Sequence, residues 1–209
     1  MSLALDLLAL LVMPVVIVGT INRVKARWAG RIGPPIFQLA FDLVRLARKT
    51  PVYSSVTTQV FRIGPVVVLV TAIASASIVP LAGTESLLSF SFDFVWFAYL
   101  WSLGRVALML AALDTGSSFE GMGASREATF ATLLEPILFL VAGALCLHAD
   151  VSTFQAALVP RLDDPSSVLM WVAAIGALMI VIQVEAARMP VDDPTTHLEL
   201  TMVHEVMIL

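Results

Sequence analysis

Cysteine is almost absent: Cys146 is the only one in 209 residues, and it falls inside an apolar run. That excludes a disulfide framework and a Cys-based iron–sulfur or zinc site, so redox chemistry is not expected of this chain itself. Charge is scarce too. Asp, Glu, Lys and Arg make up 13% of the chain against 59% hydrophobic residues, and mean hydropathy is +0.93. So few charges cannot cover a soluble globule of this size, and the chain reads as an integral membrane protein. Internal repeats and low-complexity tracts are missing. His197, Glu199 and His204 do not match the His-Glu-x-x-His spacing of a zinc site, so no metal is expected, and no nucleic-acid partner either. The N-terminal stretch lacks a basic leader and a small-x-small cleavage site and contains Asp6, so a retained helix is expected rather than a signal peptide.

What the chain does have is apolar runs of spanning length, about 20 residues at 1.5 Å each. They cover Leu3 to Ile21, Ile63 to Gly83, Phe94 to Leu113, Ala131 to Ala149 and Val168 to Val184. The expected fold is all-α: a polytopic transmembrane helix bundle with five complete spans plus the start of a sixth at about Met202. Residues 1–209 are expected to form a single integral membrane domain. A short surface helix is expected at Phe154 to Val159, and a turn or helix start at Asp163-Asp164-Pro165.

Eight of the twelve basic residues lie between the first two spans. By the positive-inside rule the N-terminus is outside, and loops 22–62, 114–130 and 185–201 face the cytoplasm. From Pro35 to Lys49, apolar residues surround a polar stripe of Gln38, Asp42, Arg45 and Lys49, spaced four, three and four apart. That periodicity predicts an amphipathic helix over about 35–49, lying in the membrane interface with its basic edge toward headgroups. Gly33-Pro34-Pro35 and Thr50-Pro51 bracket it.

The chemistry is expected where acids enter apolar surroundings. A charge at the bilayer centre costs about 2.5 to 3.5 kcal/mol by insertion scales, so Glu135, read as one turn into the fourth span and followed by Pro136, is a candidate functional residue. Glu120, Arg126 and Glu127 lie upstream, and Asp114 closes the preceding helix. Two readings stay open: a proton path, or a pin in which Glu135 pairs with Arg126 or Arg105 to hold two helices together. Arg105, near the middle of the third span, either snorkels or has an internal partner. The segment from Glu185 to Glu205 is the most densely ionic of the chain, and all three polar stretches are expected to meet in one site.

Three ordered motifs carry a resemblance: Arg31-Ile-Gly-Pro34 with Gln38 and Asp42 following; Gly123-Ala-Ser-Arg126 with Glu135 nine residues on; and Arg188-Met-Pro190-Val-Asp192 with Glu199 and Glu205 beyond. Together they resemble the membrane-subunit family shared by respiratory complex I (subunit 1 or H type) and energy-converting NiFe hydrogenases. Leu113-Asp-Thr-Gly-Ser117 and Gly121-Met-Gly-Ala-Ser-Arg-Glu127 are similar to the formate hydrogenlyase and hydrogenase-4 branch. Thr195 and His197 stand where quinone-reducing members carry further acids, which weakens the case for quinone. Family members have about eight spans, so this chain covers the N-terminal part.

The resemblance implies a non-catalytic, proton-conducting anchor subunit of an oxidoreductase complex in the cytoplasmic membrane of a prokaryote. Its proton pathway would comprise Glu135, Glu185, Glu199 and Glu205, with Arg126 as a counter-charge; the position of Asp114 and Glu127 beside the spans adds them to the expected path, and Arg105 is a second candidate counter-charge. Arg31, Gln38, Asp42, Arg188 and Asp192 would shape a docking surface. Iron–sulfur clusters and the nickel–iron centre would belong to partner subunits, alongside an antiporter-like membrane subunit. The alternatives are the quinone-site subunit of a complex I-like NADH dehydrogenase and a stand-alone cation/proton antiporter.

Overall fold

The computed structural model describes residues 2–51, 53–80, 86–160 and 164–186. These residues contain seven helices and no strand, and five of the helices are long and apolar enough to cross a membrane. Tertiary contacts divide the chain into two units. The first contains residues 1–53 and the second is built mainly from 54–79 and 88–186. The expected sixth span, together with Arg188, Asp192, Glu199 and Glu205, lies outside the described residues.

In the first unit, α1 (Ser2–Trp28) is 27 residues long, about 40 Å at helical rise, which exceeds the roughly 30 Å of hydrocarbon in a bilayer. It ends in a Schellman motif. Gly30 takes φ +67°, its N–H reaches the Arg27 carbonyl at 3.0 Å, and Arg31 N–H reaches that of Ala26 at 2.8 Å. The chain then turns back along α1, with Gly33 against Arg23 and Ala26 and the Ile36 backbone against Gly19. A Cβ on Gly19 would lie 1.9 Å from the Ile36 carbonyl oxygen, so only glycine permits this approach. The returning chain seats α2 (Gln38–Ala47) about 13 Å short of the end of α1, counting nine residues at 1.5 Å. This is the expected amphipathic helix, and none of its residues is buried.

In the second unit α3 (Gln59–Ala76) packs on α4 (Asp93–Leu113), α4 on α5 (Ser118–Ala149), and α5 on both α6 (Phe154–Ala157) and α7 (Pro165–Glu185). Small residues let α3 and α4 approach closely, as lipid-embedded helices require. A Cβ on Gly64 would sit 2.7 Å from that of Ala111, and one on Gly104 would sit 2.6 Å from the Thr71 hydroxyl. The main apolar core gathers Leu145, Cys146, Ala157 and Ala174 from α5, α6 and α7.

The structure corrects two boundaries. Residues 114–130 are not a loop: only 114–117 separate α4 from α5, which runs unbroken for 32 residues. Ser117 caps it by accepting the Phe119 N–H at 3.3 Å, and helix formers from Glu120 to Ala128 outweigh Gly121 and Gly123. Pro136 is therefore deep in the helix rather than in its first turn. The second span runs Gln59–Ala76, not Ile63 to Gly83, because Thr58 caps its start. The short helix expected at Phe154 to Val159 forms as α6 over Phe154–Ala157, with one side packed inward. Its Ala157 is 1% exposed, and the Phe154 N–H is accepted at 2.6 Å by Asp93, a carboxylate buried completely at the head of α4.

Candidate functional site

Arg105 sits eight residues before the end of α4, about 12 Å from it, too deep for its side chain to snorkel out. The question left open by the sequence is thus answered in favour of internal partners. The guanidinium is 5% exposed and is shared among three carboxylates. Its Nε lies 3.2 Å from Glu127 Oε1, its Nη1 3.9 Å from Glu135 Oε1, and its Nη2 bonds Glu185 Oε2. Guanidinium carries five N–H donors in a rigid fork, so one arginine can serve several acids. Glu127 and Glu135 come from α5, two helical turns apart, and Glu185 closes α7. The cluster therefore ties α4, α5 and α7 together.

Trp101 adds a contact that sequence reasoning missed. Its indole N–H donates to Glu185 Oε1 at 3.1 Å, so each oxygen of that carboxylate is held by a different α4 side chain. The signal was present: Phe97, Trp101 and Arg105 recur every four residues and so share one helix face. A cavity of about 200 Å³ opens beside the cluster, lined by Phe97, Trp101, Leu138 and Val181 together with Arg105, Glu135 and Glu185. Its walls are apolar except at that ionic end.

The other expected residues fall elsewhere. Asp114 is occupied at the head of α3, where its carboxylate accepts the Thr58 hydroxyl and N–H, each at 2.7 Å, and the Phe61 N–H at 3.2 Å. The Thr58 hydroxyl bond, then the backbone bonds, hold its pKa below the usual carboxylate value, although partial burial works against them. Arg126 is not among the Arg105 partners and lies over the Phe130 ring at 5.9 Å. Glu120 is buried near the start of α5, and its Oε2 accepts no hydrogen bond from the described residues. Arg31, Gln38 and Asp42 belong to the first unit, where Asp42 accepts from Gln38 at 3.2 Å and pairs with Arg45 at 3.0 Å. Among the described residues no three His, Cys, Asp or Glu side chains gather as metal ligands would.

A second polar group joins α5 to α7. Asp164 immediately precedes α7 and accepts from the Ser166 and Ser167 hydroxyls, and His148 Nε2 lies 2.8 Å from Ser167 Oγ. Because the Ser167 proton goes to Asp164, the histidine nitrogen must donate to the Ser167 oxygen. The hydroxyl bonds of Ser166 and then Ser167 lower the Asp164 pKa.

The family model for NADH dehydrogenase matches residues 1–206. The chain belongs to the NADH dehydrogenase family. Within that family it is similar to hydrogenase-4 component C of Escherichia coli strain K12, 31% identical over 183 residues that cover 88% of this chain and 58% of the relative. It is 34% identical over 116 residues to formate hydrogenlyase subunit 4 of the same strain, covering 56% and 38%. It is 25% identical over 189 residues to the H-type subunit of NADH-quinone oxidoreductase from Methylococcus capsulatus, covering 86% and 59%. The fold matches a chain of the membrane-bound sulfane sulfur reductase, an archaeal respiratory membrane complex, with TM-score 0.65 and 24% identity over 87% of this chain and 60% of that one. The chain thus spans no more than about three fifths of the length of these relatives. The resemblance read from the three motifs is borne out: this NADH dehydrogenase family member is a multi-pass membrane subunit of the complex I-like and energy-converting hydrogenase type.

Proposed function

We propose that the chain acts as the proton-conducting membrane anchor of an energy-converting NiFe hydrogenase of the formate hydrogenlyase or hydrogenase-4 type. The observation that carries this reading is the Arg105 cluster, in which one cation buried within spanning helices serves Glu127, Glu135 and Glu185. An arginine that can trade partners lets a carboxylate take up or release a proton without leaving a bare buried charge. Glu135, held at 3.9 Å and facing the cavity, is the member best placed to exchange protons, while Glu185 is held by two donors. Asp114, occupied in capping α3, drops out of the path, and Glu199 and Glu205 would continue it past Glu185. Arg126 remains a second counter-charge on α5.

In this reading the N-terminus faces outward in the cytoplasmic membrane of a prokaryote. Arg31, Gln38, Asp42, Arg188 and Asp192 shape the inner surface on which iron–sulfur subunits and the NiFe large subunit dock, with an antiporter-like subunit beside it in the bilayer. The redox centres are held by those partners. In the assembled complex, Glu135→Gln should leave subunit composition intact and lower proton-coupled activity by about 10²-fold, the scale of losing a positioned proton-transfer group. Full coupling in that variant would overturn the reading. A second reading, the quinone-site subunit of a complex I-like dehydrogenase, is favoured by the similarity to the NADH-quinone oxidoreductase relative and by the apolar cavity. Competitive inhibition by quinone analogues would select it, and hydrogen evolution by the purified complex would reject it. Ion flux in liposomes containing only this chain would instead mark a lone antiporter.

A further inference from the structure

The first unit concentrates charge of one sign. From Arg23 to Tyr53 the chain has seven basic residues and a single acid, Asp42, whereas the rest has five basic and fifteen acidic residues. Asp42 is taken by Arg45, and among the described residues Arg23, Lys25, Arg27, Arg31, Arg48 and Lys49 make no ion pair. The same unit leaves apolar surface uncovered. Around α2 the side chains of Phe41, Leu43, Val44 and Leu46 are each more than half exposed.

The backbone arranges these two features as a step. Because Ile36 is seated on Gly19, the chain enters α2 about 13 Å short of the end of α1, and the turns of α1 beyond that level carry Arg23, Lys25 and Arg27. Helix α2 carries Arg45, Arg48 and Lys49 along and beyond its end. An acidic protein partner would satisfy the cations and leave the apolar arc of α2 bare. An acyl chain without a charged head would do the reverse. A molecule that is anionic at one end and apolar along the rest satisfies both at one depth.

We infer that this step is a binding site for anionic phospholipid. The last turns of α1 and the end of α2 supply cations for the headgroup phosphate, Arg48 and Lys49 unpaired among the described residues and Arg45 shared with Asp42, and the acyl chains lie along Phe41 and Val44. This goes beyond a helix that merely lies in the interface, because it requires selection of one headgroup charge over another. It is independent of the proton path, since none of these residues belongs to the Arg105 cluster.

The test takes the assembled complex containing the full chain, exchanges it into bilayer discs of phosphatidylcholine mixed with phosphatidylglycerol, and counts retained lipids by native mass spectrometry. Phosphatidylglycerol should be retained over phosphatidylcholine. The triple variant Arg45→Gln, Arg48→Gln, Lys49→Gln should lose roughly 100-fold in phosphatidylglycerol affinity, at about fivefold per cation near an anionic surface. Phe41→Ser with Val44→Ser should also weaken retention, with every charge in place. Since α2 buries no residue, these changes remove no core contact, and Glu135→Gln should retain lipid as the parent does. Equal retention of the two lipids, or unchanged retention in the triple variant, would overturn the inference. Loss of a partner subunit from the triple variant with lipid retained would make the step a protein-docking face and equally overturn it.

Discussion

The two units of this chain meet the membrane in opposite ways. In the first, cations stand at the surface and α2 buries nothing, and the chain leading into it is seated on α1 by Ile36 on Gly19 and by Gly33 on Arg23 and Ala26. In the second, a cation is driven inside: Arg105 is 5% exposed and is held by acids from two other helices. A surface charge keeps its water and needs no partner, whereas a charge within a spanning helix must be paired or carry a function. The same residue type thus stands exposed in one unit and is buried and paired with acids in the other.

The sharpest way to break this contrast is to remove the buried cation. Arg105→Leu leaves three carboxylates without their shared partner and should destabilise the second unit by about 3 to 5 kcal/mol, read as a lowered melting temperature of the purified complex. Arg105→Lys, with the charge but without the fork, should fall between parent and Leu. In the first unit the corresponding point is a glycine. Gly19→Ala forces a methyl group onto the Ile36 backbone, which cannot move aside like a side-chain tip, and should cost about 1 to 3 kcal/mol. Spin labels on α1 and α2 should then separate, and unchanged label distances would refute this seating.

Asp114 offers a smaller, pH-dependent test at the edge of the second unit. Its folded pKa is lowered, so its stabilising effect is complete above the unfolded value near 3.9 and is lost as pH falls through the folded one. Parent and Asp114→Asn should therefore differ in melting temperature at neutral pH and draw together only as pH falls from about 4 through the lowered folded value. The smallest effect is expected from exposed apolar side chains of α2. Phe41→Ser should change stability by no more than about 0.5 kcal/mol. A larger loss would mean that α2 is packed against something other than lipid.

The apolar runs were legible as helices because a bilayer imposes a length and a composition that few other structures share, and all five appear. The amphipathic stretch around Gln38 to Lys49 was legible for a similar reason, since its polar residues fall on one helical stripe. Helix ends were harder. Hydropathy placed the start of the fourth span near Ala131, yet α5 begins at Ser118, because caps and helix propensity set where a helix starts while hydropathy measures only where lipid touches it. Asp114 shows the limit at a single residue. Its position beside a span read as part of a proton path, and only the approach of Thr58, 56 residues away in sequence, reveals it as the cap of another helix.

The amino-acid order by itself determined that this chain crosses a membrane in five helices, that its basic loop is set apart from its acidic remainder, and which family it belongs to. These are properties of composition, period and motif, and none requires distant residues to meet. Tertiary structure alone decided that Arg105 takes Glu127, Glu135 and Glu185 as partners, that Trp101 shares the last of them, and that Gly19 seats the hairpin. Each of these depends on where separate segments of the chain come to lie, and in lipid that is settled by close backbone approach and the pairing of buried charge rather than by hydropathy.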